Sequence, residues 1–219
     1  MKNIIYAILI YNFLFSLDDN ETGLFSISRI HYDGGGDWYA NPSSLPNLLE
    51  FISNNTSIKV NLNEKRVKIG DDLFYKSFYF YITGHGNIKF TNKELLILRE
   101  HLENGAFLHV DDNYGLDKSF RKTAKELFPD KDLIELPPNH TIFNCYYTFK
   151  EGLPKIHEHD NKPPQALGIF HKRKLILLYT YESDLGDGWE DKNVHNNPEN
   201  IRLNALKMGT NIVIYNLIQ

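Results

Sequence analysis

Cysteine is nearly absent: Cys145 is the only one in 219 residues. That excludes an intramolecular disulfide framework and a structural zinc site built from several thiolates. A basic excess is missing too. Lys and Arg number 24 against 28 Asp and Glu, for a net charge of −4, and the one basic cluster is Lys172-Arg173-Lys174. Nucleic-acid binders carry a basic stripe, so no nucleic-acid partner is expected. The chain shows no internal repeat and no low-complexity linker. With 42% hydrophobic and 24% charged residues it sits near the globular average, which excludes long disorder and coiled coil. No G-x-x-x-x-G-K-[ST], H-E-x-x-H or G-x-S-x-G motif occurs.

What is present begins with an apolar segment. Met1-Lys2-Asn3 carries one positive charge, and Ile4 to Phe15 is apolar apart from Asn12 and two tyrosines. These 12 residues fall short of the ~20 that span a bilayer as a helix. They fit a secretory signal peptide over residues 1–17, although Leu14 and Ser16 make a poor cleavage site. The alternative is a buried first strand. The signal peptide implies export to the periplasm or cell envelope, with membrane association only through an uncleaved N-terminal segment. A single domain over 23–219 is expected to follow.

In that domain Leu24 to Tyr32 alternates like a strand and breaks at Asp33-Gly34-Gly35-Gly36-Asp37-Trp38. Asn41 or Ser43 caps a helix starting near Pro42, with Leu45, Leu48, Leu49 and Ile52 on one face. Ile58 to Leu62 reads as a short strand. The run FYFYIT within 73–83 reads as a buried strand ending at Gly84-His85-Gly86. Thr91 and Glu94 form a capping box, and Gly105 stands where a helix C′ glycine belongs. Ala106 to Val110 is the next strand, closed by Asp111-Asp112. Asp117 caps a helix through Leu127. Ile142 to Phe149 is a further strand candidate. Ala166 to Phe170 and Leu175 to Tyr181 make a hairpin. Pro198 opens a last helix, with Ile201, Ala205, Met208, Ile212 and Leu217 roughly on one side. The strand–helix alternation of the first 130 residues predicts an α/β fold with a mainly parallel sheet, plus a β-hairpin and a C-terminal helix.

In an open α/β sheet, ligands bind beyond the carboxyl ends of the strands. Three polar motifs fall at such ends: DGGGDW, GHG and DD. Topology would bring Asp33, Asp37, Trp38, His85, Asp111 and Asp112 to one edge. The glycines Gly34, Gly35 and Gly36 admit close backbone approach. They serve either a tight turn or a ligand-contacting loop, and flanking carboxylates disfavour a phosphate. His85, flanked by glycines, is either a turn histidine or a proton-transfer group, because imidazole titrates near neutrality. Of Asp111 and Asp112, one can act as a base while the other caps the following turn. His109, on the same side of its strand as Asp111, reads as a half-buried histidine. The acidic set with His85 has the donor types for a divalent ion, but no paired-histidine spacing supports one, and neither metal nor cofactor is expected. His157 and His159 lie in a proline-bounded loop and read as solvent-exposed, with incidental metal binding the lesser alternative. Glu182 to Asp191 reads as a solvated acidic surface with Trp189 an exposed aromatic. Cys145 reads as a buried structural thiol within a strand.

The string YDGGGDWYANPSSLPNLLEF at 32–51, YITGHG at 81–86, GAFLHVDD at 105–112 and HTIF at 140–143 resemble domain-of-unknown-function family 4159. LGIFHKRKLILLY, GDGW and MGTNIVIYNL also resemble it. The resemblance implies a flavodoxin-like three-layer sandwich similar to the class I glutamine amidotransferase superfamily. Amidotransferases carry a nucleophilic cysteine at the turn after the strand that here reads AFLHV. Asp111, Asp112 and Asn113 stand there instead, which argues against glutaminase chemistry. By the same likeness, Gly84-His85-Gly86 takes the place of the oxyanion-stabilising loop.

Two functions follow as expectations. The first is a ligand-binding or envelope-assembly module in which Asp33, Gly34 to Gly36, Asp37 and Trp38 hold a small polar ligand or an envelope protein partner. The alternative is a hydrolase of a polar envelope or carbohydrate substrate, with Asp111 or Asp112 as base and His85 as acid or hydrogen-bond donor.

Overall fold

The computed structural model describes residues 23–219. The expected signal peptide lies outside the described residues, and among those described no helix is long and apolar enough to cross a membrane. Chain order is β1 (Ser28–Ile30), α1 (Ser44–Asn55), β2 (Lys65–Val67), α2 (Asp72–Tyr75), β3 (Tyr79–Ile82), α3 (Asn92–Glu103), β4 (Phe107–Asp111), α4 (Asp117–Leu127) and β5 (Ile134–Glu135). It continues through β6 (Gln165–His171), β7 (Lys174–Tyr181), α5 (Leu185–Trp189), α6 (Lys192–His195) and α7 (Glu199–Ile218). The seven strands form one sheet in the order β2-β1-β3-β4-β7-β6-β5. The pairs from β2 to β7 are parallel, and β6 runs antiparallel to both its neighbours. The expected α/β architecture is present.

Helices cover both faces of the sheet. On one face Leu95, Leu98 and Leu102 of α3 and Phe120, Ala124 and Leu127 of α4 pack on Phe80, Ile82, Leu108 and Val110. On the other, Leu45, Leu48, Leu49 and Ile52 of α1, with α5 and α7, pack on Tyr79, Tyr81, Phe107 and Leu178. Alternate strand residues face opposite ways, which is why two cores share one sheet. Helix α3 starts at a reciprocal capping box between Thr91 and Glu94 and ends before Gly105 at φ 112°. The β6–β7 hairpin turns on Lys172 and Arg173, both at positive φ, as a two-residue I′-type connection requires.

Several local readings need correction. Val60 makes only an isolated bridge, to Phe25, and the strand beside β1 is instead β2. Thr141–Phe143 is one turn of 3₁₀ helix and the rest of 142–149 is irregular, so Cys145 is not on a strand. Its thiol lies 3.3 Å from the Asn211 carbonyl, and burial pushes its pKa up. The Asn211 side chain donates to the carbonyls of Ile142 and Tyr147 and accepts from the Tyr147 N–H. Those bonds take the place of a strand ladder. Asp117 is the first helical residue of α4 rather than its cap, and its carboxylate accepts from Tyr179 Oη at 2.9 Å. Ser43 precedes α1 without a side-chain cap and donates to Glu190 instead. Leu217 on α7 is exposed.

His109 is buried more deeply than expected, at 0% exposure. Its Nε2 meets Thr180 Oγ1 at 3.0 Å, and Thr180 in turn donates to Asp111 at 2.5 Å. Nε2 is therefore the protonated nitrogen, and Nδ1 has no partner. Burial pushes this imidazole down to about 3. The unfolded chain takes up a proton near pH ~6.5 and the folded chain does not, so stability is lost as pH falls below that value. At two pH units below, the loss is about 3 kcal/mol. Asp112, which burial pushes up to about 6, acts in the opposite sense, since its ionisation costs stability as pH rises from ~4. Subtraction isolates the histidine. Urea unfolding of His109→Gln across pH 4.5 to 7 should show a flatter acid limb than the parent, and parallel curves would remove His109 from the acid sensitivity.

Candidate functional site

Helix α1 after β1 and α3 after β3 lie on opposite faces of the sheet. So do α4 after β4 and α5 after β7. A crevice opens at the carboxyl edge wherever neighbouring strands send their connections apart, here between β1 and β3 and again between β4 and β7. The two are separated by β3 and β4, and His85 at the first lies within electrostatic reach of Asp184 at the second.

At the first crevice the glycine run is structural. Gly36 N–H donates to Asn87 O at 3.1 Å, Asp37 N–H to His85 O at 3.3 Å, and Lys89 N–H to Asp33 O at 2.7 Å. A Cβ on Gly36 would stand 2.7 Å from His85 O, so only glycine lets the two loops meet. Two of the loop N–H groups are thereby committed to carbonyls. The product of this zipper is a His–Asp pair. Asp37 accepts from the His85 N–H and, at 3.0 Å, from its Nδ1. The ring is 52% exposed, and Nε2 has no partner among the described residues. Trp38 stacks on His31 at 4.2 Å and packs against the core, so one face of its ring is already covered. Asp33 is exposed and Gly34 and Gly35 have positive φ.

At the second crevice Asp111 and Asp112 divide their labour. Asp111 is fully buried. It accepts from Thr180 Oγ1 and from the Gly186 N–H at 2.7 Å, and burial raises its pKa well above the carboxylate range. A Cβ on Gly186 would lie 2.8 Å from Tyr81 Oη, so glycine is what allows α5 to close on Asp111. Asp112 accepts from the Leu116 N–H at 2.9 Å and closes the turn into α4. In that turn Tyr114 has φ 72° and Gly115 φ 92°.

The chain after β7 supplies the groups that the sequence reading placed on the surface. Glu182 and Asp184 are buried, both at positive φ, and Trp189 is 1% exposed. Asp187 is 9% exposed. The residues 182–191 are thus largely enclosed, because α5 is sandwiched between α1 and α7. Lys155 Nζ pairs with Glu182 at 2.7 Å. His157 and His159 are only about one-quarter exposed, at 24% and 21%. His159 Nε2 bonds Asp184 Oδ2, and the ring stacks on Tyr114 at 4.5 Å. Burial, then the neighbouring Asp187, pushes the Asp184 carboxyl up to about 8, with Asp112 and His85 within electrostatic reach. Asp184 Oδ1 is buried without a partner. Asp187 accepts from Asn41 Nδ2 at 2.7 Å and faces His157 Nδ1 at 2.9 Å and His195 Nδ1 at 3.6 Å. His157 and the neighbouring His195 hold the Asp187 carboxyl below its ordinary range despite its burial.

The structure therefore places beside His85, Asp37 and Asp112 five residues that the sequence reading had left on the surface or unassigned: His157, His159, Asp184, Asp187 and His195. One sequence signal pointed to them. Asp187 lies between glycines in GDGW as His85 does in GHG, and H-x-H at 157–159 precedes it.

No curated protein matches the sequence. A family model described as "Domain of unknown function (DUF4159)" matches residues 26–217, from just before β1 to the end of α7. With its sheet, both crevices and every site residue inside the matched span, the chain belongs to the DUF4159 family.

Proposed function

We propose that this chain is a hydrolase of a polar substrate, in which His85 and His159 form the acid–base pair and Asp37 and Asp184 orient them. The observation that carries it is a repeated arrangement at one sheet edge. Each imidazole has one nitrogen held by a carboxylate, His85 Nδ1 by Asp37 and His159 Nε2 by Asp184. The other nitrogen of each is without a protein partner among the described residues. Fixing one nitrogen sets the tautomer and ring direction and leaves the second to exchange a proton with substrate or water. Asp111 and Asp112, the bases expected from sequence, are replaced in this reading. Both are at most 4% exposed and already bonded, so they support the site from beneath.

The likeness to the glutamine amidotransferase superfamily belongs to the same reading. The parallel sheet and the strained turn at Tyr114 and Gly115, directly after β4, support it. The turn carries no cysteine, and Cys145 pairs with a carbonyl of α7, so thiolate attack is not the chemistry proposed. Water is the nucleophile.

The test is a panel of chromogenic glycosides, carboxylic esters and phosphate esters. His85→Ala and His159→Ala are each expected to lower turnover ~10²–10⁴-fold while leaving binding in place. Turnover that survives both substitutions would remove the pair from the chemistry. A compound that binds at the edge and is not turned over would return the protein to the ligand-binding class.

A further inference from the structure

We propose that His157, Asp187 and His195 bind a divalent transition-metal ion of the zinc class. One ligand atom from each of the three residues lies within 4.8 Å of the others. Asp187 Oδ2 is 2.9 Å from His157 Nδ1 and 3.6 Å from His195 Nδ1. Zinc binds nitrogen and oxygen at ~2.0–2.2 Å, so tetrahedral ligand atoms stand about 3.4 Å apart. The two separations bracket that value.

Two of the three ligands are backed by hydrogen-bonding groups as a metal site needs. Histidine ligands donate their other N–H to an oxygen acceptor, which fixes the ring. His157 Nε2 lies 2.7 Å from Asn197 Oδ1; His195 Nε2 is buried 3.4 Å from Glu190 Oε2 without forming a hydrogen bond. Glu190 is itself held by the Ser43 N–H and Oγ, each at 3.0 Å. Asn41 donates to the second oxygen of Asp187. The Nδ1 atoms of both histidines and a carboxylate oxygen face one small volume. Either a proton on His157 Nδ1 or a cation shared by all three holds them together. A buried carboxylate lies beside His157. Asp184 is 1% exposed, its Oδ2 is 3.7 Å from His157 Nδ1, and its Oδ1 has no partner.

Two nitrogens with one carboxylate suit zinc, iron or cobalt rather than magnesium or calcium, which take oxygen ligands. The partial exposure of both histidines, 24% and 27%, gives the ion a route in. Three protein ligands leave a fourth position for water or substrate. The inference does not depend on hydrolysis, because the cation is read without turnover.

Untagged full-length protein, stripped with a chelator and dialysed, is titrated with Zn²⁺ and with Co²⁺. One equivalent of zinc should be retained by elemental analysis, and Co²⁺ should give visible d–d bands of a four- or five-coordinate site. The His157→Gln/His195→Gln double variant should bind at least a hundredfold more weakly, with far-ultraviolet dichroism intact. If that variant does not fold, Asn197→Ala, which leaves all three ligands in place, should weaken zinc ~10–100-fold. A thousandfold excess of Mg²⁺ should not compete. Parent protein retaining well under one equivalent, or equal affinity in the variants, would overturn the site and leave two imidazolium–carboxylate pairs. His85→Ala should keep its zinc, so a failure of the acid–base pair and a failure of the metal site are told apart.

Discussion

Replacing Trp189 by alanine is expected to lower the unfolding free energy by about 3–5 kcal/mol. The indole is 1% exposed and sits where α5, α7 and the sheet meet. Its Nε1–H donates to Ala205 O at 2.7 Å, and its ring edge lies so close to Gly209 that a Cβ there would stand 2.8 Å away. Tyr81 and His109 pack on it from the sheet at 5.7 and 6.0 Å between ring centres. A void of this size, walled by a helix and a sheet, cannot collapse without moving one of them. Trp189→Phe keeps most of the volume and loses the hydrogen bond, for about 1–2 kcal/mol. Urea unfolding followed by far-ultraviolet dichroism measures both. An alanine variant within ~1 kcal/mol of the parent would mean that α5 is not anchored by this ring. Trp189 follows Asp187 on the same short helix, so the alanine variant should also bind zinc more weakly wherever it is still folded.

Arg29→Ala is the second large effect, about 3 kcal/mol, the low end of the cost of breaking a buried ion pair, because Arg66 still faces Glu64. Arg29 is a charged residue on β1 at 1% exposure. Its guanidinium reaches Glu64 at 2.8 Å, Ala40 O at 2.7 Å and Asn41 O at 3.2 Å. Removing it leaves the Glu64 side chain, 7% exposed, with only the half-exposed Arg66 at 2.9 Å as a partner, and strips the Ala40 carbonyl of its donor. Breaking one half of such a pair costs more than the pair contributes, because the remaining charge stays desolvated. Arg29→Lys keeps the charge but not the fork, so it should recover only part of the loss. The double variant Arg29→Met/Glu64→Gln should be milder than Arg29→Ala, since neither partner is then charged. An Arg29→Ala cost equal to that of the double variant would contradict the explanation by a desolvated Glu64 charge. The effect should extend to the site. Asn41, at φ 55°, is held by Arg29 through its carbonyl and holds Asp187 through its side chain.

The elements legible in the sequence were those whose signals are local. Thr91, Glu94 and Gly105 bracket α3 within one stretch of chain. The hairpin is written in two apolar runs around two basic residues, and the FYFYIT run contains β3. The acidic connection after β7 was misread for a physical reason. Five acidic residues among the ten from Glu182 to Asp191 ordinarily stay in water. Here Gly186 lets α5 pack against Asp111 and Tyr81, and α1 and α7 flank it. No pattern within those ten residues encodes that. The same holds for His159, whose partners Asp184 and Tyr114 are distant in sequence. The edge itself was legible, because strand ends and crevices follow from topology. What reaches into it was not, because loop conformation is a long-range property.

The position of β7 has a consequence for how the molecule is made. It lies between β4 and β6, although it is the last strand to be synthesised. Until Lys174 to Tyr181 leave the ribosome, β4 has one paired flank and one bare row of amides and carbonyls, and β6 has no partner toward β4. An open edge of that kind recruits other chains. The final segment is therefore less an appendage than a keystone. From the completion of β4 at Asp111 until β7 emerges, the nascent protein carries this open β4 edge, and a ribosome stalled before residue 174 would display a sticky intermediate in need of a chaperone.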